Sequence, residues 1–108
     1  MATTYKVLGQ LNPAAGTLTT LYTVPAATST VCSTLAIANL DTSTTFRVAV
    51  RPANTSIVKQ HYIAYDTPIN QYDSVFLTLG ITLATTDVVS VYAGTANVAF
   101  NLFGSEIA

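Results

Sequence analysis

Period-two alternation is the feature that most constrains what this chain can fold into. In residues 44–51, Phe46, Val48 and Val50 share one parity while Thr45, Arg47, Ala49 and Arg51 share the other, the pattern of a strand with one dry face and one wet face. In residues 75–83, Val75, Leu77, Leu79, Ile81 and Leu83 alternate with Phe76, Thr78, Gly80 and Thr82. Gly80 there marks a bulge or bend. The same test along the chain predicts about eight strands, over 4–10, 17–24, 30–40, 44–51, 56–65, 74–79, 87–93 and 97–104. Between them stand Pro, Gly, Asn and Asp, as in Asn12-Pro13-Ala14-Ala15-Gly16, Asp41-Thr42-Ser43 and Asp66-Thr67-Pro68-Ile69-Asn70, the residues that tight connections favour. The only helix candidate, Leu83-Ala84-Thr85-Thr86-Asp87, is too short and too rich in Thr to be more than a turn. The expected fold is all-β: a single antiparallel β-sandwich over residues 1–108, with jelly-roll and Ig-like Greek-key strand orders both open.

Composition supports this and removes several functions. Nineteen threonines supply β-branched side chains that can fill wet strand faces without charge. Only nine of the 108 residues are formally charged and the net charge is −1, so no basic stripe exists for nucleic acid. No run approaches the roughly 20 apolar residues of a membrane-spanning helix. The start, Met1-Ala2-Thr3-Thr4-Tyr5-Lys6, lacks the pattern of a secretory signal, and folding in a cytoplasm is the expectation. A lone cysteine, Cys32, can form no intrachain disulfide and reads as a small buried hydrophobe. Asn54-Thr55-Ser56 matches a glycosylation pattern and, without a secretory route, reads as a polar turn.

Enzymatic chemistry finds few groups to work with. His61 is the single histidine, no G-x-S-x-G or related nucleophile motif occurs, and no catalytic residue is expected. One His, one Cys and scattered Asp show no metal-ligand spacing, so no metal site within the chain is expected, although one ligand per chain at a symmetry axis stays compatible. The five glycines are isolated, without a phosphate loop or dinucleotide fingerprint, and no cofactor is expected. Asp66, Asp73 and Asp87 read as turn or capping residues. What remains is contact chemistry. Arg47 and Arg51 share a strand face roughly 13 Å apart, and His61, Tyr62, Tyr65 and Tyr72 follow within one stretch. Arg and Tyr are interface residues, and these six form the candidate interface.

Four strings carry a resemblance: Leu21-Tyr22-Thr23-Val24-Pro25-Ala26-Ala27-Thr28-Ser29-Thr30-Val31, Phe46-Arg47-Val48-Ala49-Val50-Arg51-Pro52, His61-Tyr62-Ile63-Ala64-Tyr65-Asp66, and Val98-Ala99-Phe100-Asn101-Leu102-Phe103-Gly104-Ser105-Glu106-Ile107. Together they resemble small β-sandwich structural proteins of tailed bacteriophages, over nearly the whole chain. The resemblance implies a non-enzymatic virion protein that folds in host cytoplasm before assembly. Its implied partners are the major capsid protein or other virion proteins, and its implied state is a homo-oligomer such as a trimer at local threefold axes. Capsid decoration is the leading role, a neck or tail component the alternative. Exposed tyrosines also motivate a third reading, a carbohydrate-binding module for host adhesion, although tryptophan, the better stacking surface, is absent.

Overall fold

A computed structural model describes residues 2–108. Eight strands are present: β1 (Thr3–Leu11), β2 (Thr19–Thr23), β3 (Ser29–Asn39), β4 (Thr44–Arg51), β5 (Tyr62–Ile69), β6 (Ser74–Leu83), β7 (Val88–Ala93) and β8 (Val98–Ile107), with single 3₁₀ turns at Pro52–Asn54 and Lys59–His61. They form two four-stranded antiparallel sheets, β1-β8-β3-β6 (sheet I) and β2-β7-β4-β5 (sheet II). The pairings explain the order. β1 pairs with β8, β2 with β7, β3 with β6 and β4 with β5, so the chain is one long hairpin closed at β4–β5. Pairing of β3 with β8 and of β4 with β7 then rolls that hairpin up. This is the jelly roll, and it settles the topology against the Ig-like order.

The core lies between the sheets. Phe46 and Val48 of β4, Val91 of β7 and Ile69 of β5 face Leu35 and Ile37 of β3 and Phe100 and Leu102 of β8, all essentially without solvent exposure. Phe46 and Phe100 meet edge-to-face across the layers, centroids 6.4 Å apart. Cys32 is buried among them, and burial pushes its thiol pKa up to about 11. It is therefore a packing residue.

Outside β7, where every residue but Tyr92 is buried, and Ala49 of β4, strand interiors follow the alternation, and other breaks are bulges. Between Cys32 and Thr34 the β3–β8 register slips by one residue, so Thr30 and Cys32 face inward below Ser33 while Leu35 and Ile37 face inward above it. On β6, two residues, one of them the expected Gly80, stand opposite Ser33.

Three expectations need correction, the first being that β6 ends at 79, since it runs on to Leu83. Residues 56–61 are not strand, and β5 runs on through the predicted turn 66–70 as far as Ile69. Asp66 adopts a left-handed conformation (φ 47°) that makes a bulge instead of a reversal, and Pro68 is accommodated because β5 is an edge strand. Ala49, assigned by parity to the wet face of β4, is fully buried, because the segment after β4 folds back and packs against β4 and β7.

Candidate functional site

The outer face of sheet II carries a cluster of polar and aromatic side chains. Its centre is Arg47. Tyr92 stands opposite it on β7, and the β5 bulge delivers Tyr65 and Asp66 from the other side. The guanidinium carbon lies 4.2 Å from the centroids of both tyrosine rings. Arg47 donates through Nε to Asp66 Oδ1 at 2.6 Å and through Nη2 to Oδ2 at 3.3 Å, a two-pronged pair. Asp66 thereby raises the Arg47 pKa above its already high ordinary value. Strained backbone at an edge-strand bulge is the kind of feature that aims side chains. Here it aims two at one guanidinium.

Beside this stack, Tyr62 meets Tyr65 edge-to-face, centroids 4.9 Å apart and planes at 84°. The two rings and Lys59 line a depression of about 480 Å³. Of the six residues expected at an interface, the structure joins Arg47, Tyr62 and Tyr65. Arg51 is engaged elsewhere, donating to Ser90 Oγ at 3.2 Å and to the Thr55 carbonyl at 3.0 Å. His61 accepts the Val58 N–H at Nδ1, which fixes its own 3₁₀ turn. Tyr72 stands in the turn beyond the far end of β5, with φ 59°. Lys59, Asp66 and Tyr92 complete the cluster from outside those six: by sequence Asp66 reads as a turn residue, and the partnership of Tyr92 needs the β4–β7 register.

A second titratable cluster is structural. At one end of the sandwich Tyr22 of β2 donates to Glu106 Oε2 at 2.5 Å and shares a 2.8 Å hydrogen bond with Thr30, while Lys6 Nζ lies 3.1 Å from Glu106 Oε1. The two Tyr22 bonds tie sheet II to sheet I, and the Lys6 pair lies within sheet I. The Tyr22 hydrogen bond and Lys6 hold Glu106 below the ordinary carboxylate pKa, whereas burial and the Glu106 charge raise Tyr22. A Tyr22→Phe variant should lose about 1–2 kcal/mol, the cost of leaving a charged acceptor short of a donor. Because folding lowers the Glu106 pKa, its contribution is complete above a pH of about 4.3 and drains away below it. Urea titrations at pH 7 and pH 3 should show the gap between wild type and variant narrowing in acid; a gap of constant size would contradict this role.

Asp73 and Asp87 do act as turn residues. Asp73 Oδ1 accepts the Ser74 N–H, and Asp87 accepts the N–H groups of Ala84 and Ala53. Among the described residues no three His, Cys, Asp or Glu side chains converge on one point.

The outer face of sheet I is different in kind. Its strands contain only two charged residues, Lys6 and Glu106, and both sit on the inward parity, paired to each other. Outward stand Tyr5 and Val7 of β1, Phe103 of β8 and Phe76 of β6, with Tyr5 84% and Phe76 68% exposed. Between them are Thr, Ser, Ala, Asn and Gln. A sheet face free of charge and studded with large apolar side chains has little desolvation to overcome against a partner. No protein-family model matches the chain, and a search of curated proteins returns no match.

Proposed function

We propose that this protein is a non-enzymatic structural component of a tailed-bacteriophage virion, a capsid decoration protein that bridges and stabilises major capsid subunits. The observation that carries the reading is the charge-free outer face of sheet I. Four strands about 4.8 Å apart and about ten residues long make a face of roughly 600 Å², close to the roughly 800 Å² per partner of a standard interface. Eight-stranded jelly rolls serve in viral capsid proteins, which fits, but they also serve in lectins and cupins, so the fold alone does not choose. The phage-like strings at 21–31, 46–52, 61–66 and 98–107 favour the first. In this reading the protein folds in host cytoplasm and attaches as a homo-oligomer, with trimers at local threefold axes the arrangement the resemblance implies.

Cryo-electron microscopy of virions assembled with wild-type protein and with a Phe76→Asp variant is the test. Wild type is expected to give repeating density over the shell and hundreds of copies per particle. The variant, changed only at an exposed side chain, should fold normally and leave the shell bare. Density confined to the neck or tail, at a few to tens of copies, would replace decoration with the neck or tail role; equal decoration by the variant would remove sheet I as the attachment face.

A further inference from the structure

Sheet II offers what sheet I lacks, fixed aromatic planes beside a free cation. The perpendicular rings of Tyr62 and Tyr65 form two walls of a corner. Behind the Tyr65 wall lies the Arg47 guanidinium, pinned by Asp66 and by Tyr92 on its far side. That wall is ordered before any ligand arrives, which reduces the entropy lost on binding. Lys59 lines the same depression. Among the described residues the ion pairs are Lys6–Glu106 and Arg47–Asp66, so Lys59 has no carboxylate partner. Arg47 and Asp66 cancel, and the depression keeps the Lys59 charge in excess.

We infer that the Lys59, Tyr62 and Tyr65 depression binds a pyranose bearing a carboxylate, the hexuronic acid unit of an acidic saccharide. The flat C–H face of such a ring packs on an aromatic plane, its hydroxyls find the phenol oxygens, and its carboxylate meets the ammonium. A cavity of about 480 Å³ lies within the roughly 300–1,000 Å³ of small-molecule sites. A small anion alone would use Lys59 and leave the rings idle. Conversely, a neutral hexose would use the rings and leave the cation unpaired. Of these three ligands, the acidic sugar alone engages all three residues.

Amide NMR titrations of the full chain with methyl glucuronide, methyl glucoside and acetate test this site. The glucuronide should shift the signals of residues 59, 62 and 65, with a Kd about two- to fivefold lower than the glucoside, a preference that added salt erodes. Tyr65→Ala should weaken both sugars about five- to tenfold. Lys59→Met should make the glucuronide bind no better than the glucoside. Both positions are exposed, and unchanged spectra elsewhere would show that each variant is folded. Absence of shifts at these residues, an equal response to acetate, or a glucuronide preference that survives Lys59→Met would each overturn the assignment. Capsid attachment through sheet I is read separately, by the Phe76→Asp variant, so either proposal can fail alone.

Discussion

An Asn39→Asp variant should lose about 4 kcal/mol of stability at neutral pH, a large share of the roughly 5–15 kcal/mol that holds a domain of this size together. Asn39 closes β3 and is 2% exposed. Its amide nitrogen donates to the carbonyls of Thr42 at 2.8 Å, Asn70 at 3.1 Å and Ile69 at 3.3 Å, while its Oδ1 accepts the Asp41 N–H at 3.2 Å. One side chain therefore fastens the β3–β4 turn of the rolled hairpin to the end of β5, joining the two sheets. Aspartate has the same shape but turns a donor toward three carbonyl oxygens into a charged acceptor. The variant's carboxyl, buried among acceptors, would have a raised pKa, so the folded state would hold a proton that the unfolded state releases near a pH of about 3.9. Its deficit should therefore be largest above that pH and shrink below it. Urea denaturation at pH 7 and pH 3.5 checks both the size and the sign. A variant within about 1 kcal/mol of wild type at pH 7 would mean that these bonds contribute little.

Asn39 also shows where reading the sequence stops. The alternation in 44–51 places β4 with its observed ends, because β4 pairs with β7 without a shift and the extra residues of the β4–β5 bulges lie on β5. Asn39 shares the inward parity of Leu35 and Ile37, and a polar residue on an apolar parity was the available signal that it is buried and fully bonded. At Ser33 and at Tyr65–Asp66 the difficulty is deeper. A bulge shifts parity without changing composition, so residues 62–69 cannot be placed by period two alone. The candidate site depends on that bulge. Arg47, Tyr62 and Tyr65 were legible as contact chemistry, but their union with Asp66, Tyr92 and Lys59 follows from registers set by long-range pairing. Likewise the charge-free face of sheet I needs the strand order: the shortage of charge is plain in the composition, whereas its segregation onto one sheet is not.

A Gly104→Ala variant should be destabilised by about 3 kcal/mol, whereas Gly80→Ala should change stability by less than about 1 kcal/mol. Both glycines lie in sheet I strands next to the same irregularity, and their surroundings differ. A Cβ on Gly104 would overlap the Val31 carbonyl oxygen, with Leu8 Cδ1 at 3.0 Å and the Cys32 Cα at 3.1 Å. Two of those neighbours are backbone, pinned in the β3–β8 ladder, and cannot step aside as a flexible side chain would. A Cβ on Gly80 meets nothing within 4 Å. Thermal melts of the two variants should separate by about 8–24 °C, using roughly 4–8 °C per kcal/mol for a domain of about this size. Similar melting temperatures would mean that the β3–β8 contact relaxes easily. If the protein decorates a capsid as proposed, the contrast also bears on attachment. Gly104 lets β8 lie close against β3 at the bulge, where Ser33 Oγ donates to the Phe103 carbonyl, and this seating sets the height of Phe103 on the charge-free face. Partial refolding of Gly104→Ala around its new methyl group would lift Phe103 and, in that proposed role, weaken attachment. Gly80→Ala, with open space around it, should leave both the melt and the decoration as they are.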